Sequence, residues 1–235
     1  MIDFSRIPFE PEDMKELMLL EIDYVFQPIF DARTLEISAY EALMRPKDKS
    51  PLELIDEYEK QDKLYILELA TCFGATIAYK ERGYSQYLCL NTFPSEVMNE
   101  IQTKLYFECF PDIGEKIIVE VLEYTELNRP KWAEKKAEIF SHNERIALDD
   151  YLTGNNDSAA IEFFNPQYVK IDRSVISNIH QDGEKQKILQ ELIPELHARG
   201  IEVVAEGVET KEEMDYLRNW AGVDYLQGYY LARPS

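Results

Sequence analysis

Short apolar runs of strand length alternate along this chain with longer segments whose apolar residues recur at helical spacing. The short runs are rich in Val, Ile, Tyr and Leu, as expected of strands that are buried on both faces. The pattern predicts eight strands, at residues 24–29, 35–43, 86–91, 117–123, 145–149, 167–171, 201–205 and 224–227. Strands that alternate with helices in this way indicate an α/β fold.

The connection between the first two strands is much shorter than the later connections. Only Asp31-Ala32-Arg33-Thr34 separates them, whereas a parallel crossover needs roughly a dozen residues or more. The first pair must therefore be an antiparallel hairpin. The later connections have room for helices, and capping boxes are predicted at residues 50–53 and 210–213. The favoured fold is a modified TIM (β/α)8 barrel with an antiparallel first strand, and an open α/β sheet is the alternative.

The organisation predicted for the chain is a single domain, because the sequence has no internal repeat and no flexible linker. Residues 10–22 have the apolar spacing of an amphipathic helix. We therefore expect an N-terminal helical segment, residues 1–22, to pack on a barrel domain of residues 23–235. Trp132 and Trp220 are predicted to be packing residues, and the Glu- and Lys-rich stretch 132–138 is predicted to be a solvated helix face.

The net charge of the chain limits the kinds of molecule that it can bind. The 235 residues include 45 Asp and Glu against 25 Lys and Arg, which gives a net charge of −20. This excess speaks against binding to a nucleic-acid polymer or to an anionic membrane. No apolar run approaches the ~18 residues of a membrane span, and the three cysteines lack disulfide or zinc spacing. We expect a cytoplasmic protein.

Polar side chains stand at the carboxyl end of seven successive predicted strands. A barrel brings these ends together at one mouth, where active sites form. Any one of these residues alone could be a helix cap or a solvated strand end, but the whole series is difficult to explain in that way. The residues are Glu41, Asn91, Glu123, Asp149, Asp150, Lys170, Asp172, Glu206 and Gln227.

The charge of this set predicts a metal site. Five of the carboxylates, those of Glu41, Glu123, Asp149, Asp150 and Glu206, would repel one another if they were close. Two divalent cations and the ammonium of Lys170 would balance them. Oxygen ligands favour Mg²⁺ or Mn²⁺ over Zn²⁺. Two such ions suit the hydrolysis of a phosphate ester by an activated water molecule.

The same residues carry a family resemblance. The segment Tyr40-Glu41-Ala42-Leu43-Met44-Arg45 resembles the signature of the EAL domain family of bacterial cyclic di-GMP phosphodiesterases. The resemblance extends from Tyr24 to Ser235, and its further motifs occur in the family's order. They are Gln27-Pro28-Ile29, Asn91, Glu123-Tyr124-Thr125-Glu126, Asp149-Asp150, Val169-Lys170-Ile171-Asp172, Ala205-Glu206-Gly207-Val208-Glu209-Thr210 and Gln227-Gly228-Tyr229.

The resemblance implies hydrolysis of cyclic di-GMP to linear pGpG with Mg²⁺ or Mn²⁺, and a homodimer. It implies that Glu41, Asn91, Glu123 and Asp149 bind one metal ion, and that Asp149, Asp150 and Glu206 bind the second. Lys170, Glu206 and Glu41 are the implied catalytic residues, with Lys170 orienting or activating the water. The implied substrate contacts are Gln27, Leu43, Arg45, Asp172, Glu209 and Gln227, and Glu126 is implied to support the loop after the fifth strand.

That loop departs from the family pattern, because Leu152 stands where the family has glycine. If the position needs a positive φ, the Cβ atom would cost roughly 1–2 kcal/mol. Two alternatives to an active phosphodiesterase therefore remain. One is a non-catalytic domain that binds cyclic di-GMP or another protein, and the other is a metal-dependent hydrolase of a different phosphate ester.

Overall fold

The computed structural model describes residues 1–121, 129–142, 144–152 and 158–235. Eight strands form within these residues, and their order along the sheet is their order along the chain, β1 to β8, with the sheet closed into a barrel. The strands are β1 (Ile22–Asp31), β2 (Ile37–Pro46), β3 (Tyr87–Thr92), β4 (Ile117–Val121), β5 (Arg145–Tyr151), β6 (Tyr168–Ile171), β7 (Glu202–Ala205) and β8 (Tyr225–Leu226).

The direction of the first strand is as the short connection predicts. Phe30 and Asp31 of β1 pair in antiparallel fashion with Leu226 and Tyr225 of β8. The pairs β3–β4, β5–β6, β6–β7 and β7–β8 are parallel. The modified TIM barrel is therefore confirmed, and the open sheet is wrong.

The hairpin between β1 and β2 explains why β2 begins later than predicted. The Asp31 carboxylate accepts hydrogen bonds from the backbone N–H groups of Arg33 and Thr34, at 2.9 and 2.7 Å. Leu35 then adopts a left-handed conformation with φ of 58°. That φ lies outside the extended region of a regular strand, so Leu35 belongs to the turn and β2 begins at Ile37 rather than at residue 35.

The first helix precedes β1, and the other helices lie in the connections between strands. In chain order the helices are α1 (Pro11–Leu17), α2 (Pro51–Lys60), α3 (Leu64–Leu69), α4 (Thr76–Glu81), α5 (Glu100–Cys109), α6 (Arg129–Ser141), α7 (Ser158–Phe164), α8 (Arg173–Ile176), α9 (Gly183–Ala198) and α10 (Lys211–Tyr216). Both predicted capping boxes are confirmed, at the starts of α2 and α10. No helix in the described ranges is long and apolar enough to cross a membrane.

The chain divides into two compact units. Unit 1 comprises residues 1–26 and 42–144, and unit 2 comprises residues 27–41 and 145–235. In unit 1, a π-helical segment, Ala70–Ala75, joins α3 to α4, and its Phe73 ring lies 4.6 Å from the ring of Phe9. Unit 2 contains β5 to β8 and the helices from α7 to α10.

The N-terminal region differs from its predicted form. The helix expected over residues 10–22 is shorter, because α1 ends at Leu17 and β1 already begins at Ile22. Phe4, Phe9 and Leu17 are buried. The division into a segment 1–22 and a barrel domain 23–235 stays a prediction.

Two expectations about side chains are wrong. Trp132 is buried as predicted, but Trp220 is 75% exposed. It lies in a π-helical segment, Leu217–Ala221, in which Leu217 and Ala221 are the buried residues. The stretch 132–138 is not uniformly solvated either, since Lys135 is only 6% exposed. The ammonium group of Lys135 is hydrogen-bonded to Glu68 and to the carbonyl oxygen of Phe93, and a charge pattern alone does not show such buried partners.

Candidate metal centre

A buried ammonium group is at the centre of a carboxylate cluster in unit 2. Lys170 of β6 is 1% exposed. Its Nζ atom lies 2.7 Å from Oε1 of Glu206, 3.1 Å from Oδ1 of Asp149 and 3.6 Å from Oε2 of Glu41. The three carboxylates belong to β2, to β5 and to the residue that follows β7. The structure thus brings together the residues that were expected at the ends of these strands.

Three carboxylates of this unit offer a set of metal ligands. Oxygen atoms of Asp149, Asp150 and Glu206 all lie within 4.8 Å of one another. The pKa of Glu206 is raised to about 8, because burial and the nearby charges of Asp149 and Glu41 together outweigh the lowering effect of Lys170. One ammonium does not balance this many carboxylates, and the oxygen donors fit a hard divalent cation.

Gln227 fixes the position of Glu41. Its side chain is 3% exposed, and its Nε2 atom donates a hydrogen bond of 2.6 Å to Oε2 of Glu41. Its Oε1 atom is buried without a hydrogen-bond partner among the described residues. A buried amide oxygen normally has a donor or a cation as its neighbour. This orphaned atom is therefore a second observation that fits a bound cation and its water molecules.

The backbone of β5 explains how two consecutive aspartates reach one site. Adjacent side chains of a regular strand point to opposite faces of the sheet. Here the pairing of β5 with β6 shifts in register between Leu148 and Tyr151, and Asp150 has a left-handed φ of 50°. This irregularity lets the carboxylates of both Asp149 and Asp150 face the same cluster.

The predicted residues of unit 1 occupy the following positions. Asn91 lies in β3, and its Nδ2 atom donates to the carbonyl oxygen of Ala42 at 3.3 Å. Leu43 is half-buried in β2, and Arg45 is exposed there, with its guanidinium donating to the Met44 carbonyl at 2.9 Å. Glu123 and Glu126 lie outside the described residues.

Besides Gln227, three further predicted substrate contacts belong to unit 2. Gln27 is half-buried in β1. Asp172 caps α8 by accepting the N–H of Ser174 at 2.8 Å. Glu209 pairs with the guanidinium of Arg173 at 2.7 Å. Asp172 and Glu209 thus have structural partners already, and their expected substrate contacts stay predictions.

Sequence reasoning missed a residue that organises the loops beside the cluster. Glu213 of α10 is 1% exposed and accepts N–H groups of Asn178, Glu209 and Thr210, at 2.8, 2.9 and 3.1 Å. Burial alone would raise the pKa of Glu213, but these donors, with Arg173, lower it below the usual 4.5. Glu213 therefore ties the segment after α8 to the residues that follow Glu206. The only sequence signal was its capping box.

Comparison with known proteins establishes the family. Residues 91–234 match the model of the EAL domain. This match covers more than half of the chain, so the chain belongs to the EAL domain family. The expectation drawn from the sequence motifs is confirmed.

Curated relatives include the blue light- and temperature-regulated antirepressor BluF of Escherichia coli, 26% identical over 90% of this chain and 54% of its own length. The probable cyclic di-GMP phosphodiesterase PdeG of Escherichia coli is 28% identical over 91% of this chain and 45% of its own length. The chain spans about half the length of these relatives or less.

Solved structures agree with the fold. A standalone versatile EAL protein from Vibrio cholerae O395, in a c-di-GMP bound form, superposes with a TM-score of 0.83 at 27% identity. The match covers 92% of this chain and 93% of that protein. A manganese and cy-diGMP complex of Klebsiella pneumoniae BlrP1 has a TM-score of 0.77 at 22% identity, covering 98% of this chain and 57% of that one.

Leu152 yields a prediction about stability. Its φ of 72° is left-handed, so the positive φ that was considered from the sequence is present. Leu152→Gly should be more stable than Leu152→Ala by about 1 kcal/mol, because only glycine adopts this φ without cost. Urea unfolding of both variants measures the difference in free energy.

The matched control is Leu52, which is 63% exposed and lies in the first turn of α2. At this position Leu52→Ala should be more stable than Leu52→Gly by about 0.5–1 kcal/mol, because alanine favours a helix more than glycine does. The same order of stability at both positions would show that Leu152 is not strained.

Glu213 yields a prediction about pH. Glu213→Gln should lower the free energy of unfolding by about 1–2 kcal/mol near neutral pH, because hydrogen bonds to a charged acceptor are stronger. The folded-state pKa lies below the unfolded value near 4.5. The contribution is therefore present above pH 4.5 and is lost as the pH falls through the folded-state pKa.

Urea unfolding of the wild type and of Glu213→Gln, measured from pH 7 down to about pH 4, tests this pH dependence. The difference in the free energy of unfolding between the wild type and Glu213→Gln should narrow below pH 4.5. The exposed neighbour Glu212 is the control, and Glu212→Gln should change stability by less than about 0.5 kcal/mol. If the loss of stability in Glu213→Gln does not vary with pH, the hydrogen bonds of Glu213 do not depend on its negative charge, which contradicts the prediction.

Proposed function

We propose that this chain hydrolyses cyclic di-GMP to linear pGpG with two divalent cations, Mg²⁺ or Mn²⁺. The observation that carries the proposal is the cluster of Asp149, Asp150, Glu206 and Glu41 around the buried ammonium of Lys170. Membership in the EAL family and the names of curated relatives support the same chemistry.

The proposed metal ligands follow from the sequence and the cluster. Glu41, Asn91, Glu123 and Asp149 would hold one ion, and Asp149, Asp150 and Glu206 would hold the other. When bound, such ions lower the pKa of a coordinated water and neutralise charge on phosphate oxygens.

The protein's own residues have separate tasks in this proposal. Lys170 orients the attacking water and offers a positive charge close to the developing negative charge. Gln227 holds Glu41 in place through its hydrogen bond of 2.6 Å and presents its amide oxygen to the site. Arg45 is suited to gripping a phosphate of the dinucleotide. Gln27, Leu43, Asp172 and Glu209 complete the proposed substrate contacts, and Glu126 supports the loop that follows β5.

The assembly and location are part of the same proposal. We expect a homodimer, as the family resemblance implies, and a location in the cytoplasm. The three cysteines, all within the described residues, are thiols rather than disulfides, which suits a reducing compartment. The proposed organisation keeps residues 1–22 as a segment that packs on the barrel of residues 23–235.

A second candidate function rests on Leu152. Its left-handed backbone places a strained side chain two residues after Asp150. Such strain disfavours the backbone that brings the carboxylates of Asp149 and Asp150 together. The chain would then bind cyclic di-GMP, with or without metal ions, and would not cleave it.

A turnover assay separates these functions. Purified chain with Mg²⁺ or Mn²⁺ should convert cyclic di-GMP to pGpG, measured by chromatography. Glu41→Ala and Asp149→Asn should each reduce the rate by at least about 100-fold, because each removes a metal ligand. Lys170→Met should lose about 100-fold or more.

The control and the contrary outcomes are as follows. Glu191→Ala on α9 removes a carboxylate that is 72% exposed and should leave the rate unchanged. Tight binding of cyclic di-GMP without turnover under either metal would favour the second function. Turnover of another phosphate ester but not of cyclic di-GMP would contradict both.

A further inference from the structure

Unit 1 contains a buried ion pair that the proposed chemistry does not use. Lys135 of α6 is 6% exposed and Glu68 of α3 is 4% exposed. The Nζ atom of Lys135 lies 2.5 Å from Oε1 of Glu68. Removing two charges from water costs several kcal/mol for each ion, and a buried pair often stabilises a fold less than apolar residues would. Stability alone is therefore a weak explanation for this pair.

Among the described residues, the other hydrogen bonds of the pair go to the end of β3 and to the turn that follows it. Glu68 accepts the hydroxyl of Thr92 at 2.6 Å and the backbone N–H of Phe93 at 3.0 Å. Lys135 donates to the carbonyl oxygens of Phe93 and Glu96, at 3.1 and 2.8 Å. The pair thus fixes both the last residue of the strand and the turn that follows it.

The strand end fixed in this way carries Asn91. Successive side chains of a strand face opposite sides, so the contact of Thr92 with Glu68 places Asn91 on the other face. There its amide donates to the carbonyl oxygen of Ala42 at 3.3 Å. Any shift of Thr92 and Phe93 would move the amide oxygen of Asn91 as well.

The same pair anchors α6. Lys135 lies in the second turn of that helix, which begins at Arg129. Residues 122–128 connect β4 to α6 in the sequence and include Glu123, the other proposed ligand of unit 1. One ion pair therefore holds the strand that carries Asn91 and the helix that follows Glu123.

The helix that carries Glu68 is itself irregular. Its π-helical segment begins at Ala70, two residues beyond Glu68. Segments of this kind are rare and frequently accompany functional sites. This irregularity is a second reason to seek a role for Glu68 beyond packing.

We propose that Glu68 and Lys135 are positioning residues that set the metal-binding geometry of Asn91. This inference rests on the proposed function, because it assumes that Asn91 binds one of the two ions. Residues that hold a metal ligand in place typically change metal affinity by 10- to 100-fold when they are replaced.

The test uses a double variant, Glu68→Met with Lys135→Met. Removing both charges leaves no unpaired buried ion, but it also removes the hydrogen-bond partners of Thr92, Phe93 and Glu96, so the chain should fold with a thermal midpoint below that of the wild type. Binding of Mn²⁺, followed by the paramagnetic resonance signal of the free ion, should weaken about tenfold. In the assay, the rate at saturating dinucleotide should fall while KM for cyclic di-GMP changes less than about threefold.

The control is Lys104→Met on α5, which replaces a lysine that is 77% exposed and should leave Mn²⁺ binding unchanged. A folded double variant with wild-type Mn²⁺ affinity overturns the positioning role and leaves the proposed function intact. A wild-type chain that binds no Mn²⁺ overturns both.

If the double variant does not fold, the Mn²⁺ affinity of Thr92→Val tests the positioning role instead. This substitution removes one hydrogen bond to Glu68 and leaves the ion pair in place. Mn²⁺ affinity weakened by about threefold or more supports the positioning role, and unchanged affinity overturns it.

Discussion

The buried ammonium of Lys170 is the interaction on which the candidate site depends. A charge that is only 1% exposed is costly unless opposite charges surround it. Glu206, Asp149 and Glu41 supply those charges from three different places in the fold, within 3.6 Å of its Nζ atom. Without Lys170 these carboxylates would repel one another. With it, they gather at one place and still carry more negative charge than one ammonium can balance, which is the condition for binding dications.

The backbone around this cluster departs from regular structure where the chemistry needs it. The register shift in β5 and the left-handed Asp150 present two consecutive carboxylates to one site. Such conformations cost free energy and persist only where the surrounding structure enforces them. Elsewhere in unit 2, Glu213 holds the segment after α8 and the residues that follow β7 through its three backbone hydrogen bonds. In unit 1, the pair of Glu68 and Lys135 holds the end of β3 through hydrogen bonds to Thr92 and Phe93.

Much of this could be predicted from the sequence, for physical reasons that differ between features. The antiparallel first strand followed from the short connection at residues 31–34, because loop length limits the direction of the next strand. Several members of the cluster followed from polar residues at strand ends. The burial of Lys135 did not, because its partner Glu68 is distant in sequence. The exposure of Trp220 did not, because it lies in a π-helical segment that local patterns do not show. The left-handed Leu35 has a local cause, since its φ follows from the turn that Asp31 stabilises, but the apolar pattern did not show where that turn ends.

The central claim is that the cluster around Lys170 holds two divalent cations. Diffraction at the manganese absorption edge, from crystals of the chain grown with Mn²⁺, tests it most directly. We predict two anomalous peaks, one bound by Asp149, Asp150 and Glu206, and the other bound by Glu41, Asn91, Glu123 and Asp149. No peak beside Asp149, or manganese bound only elsewhere on the chain, would contradict the account.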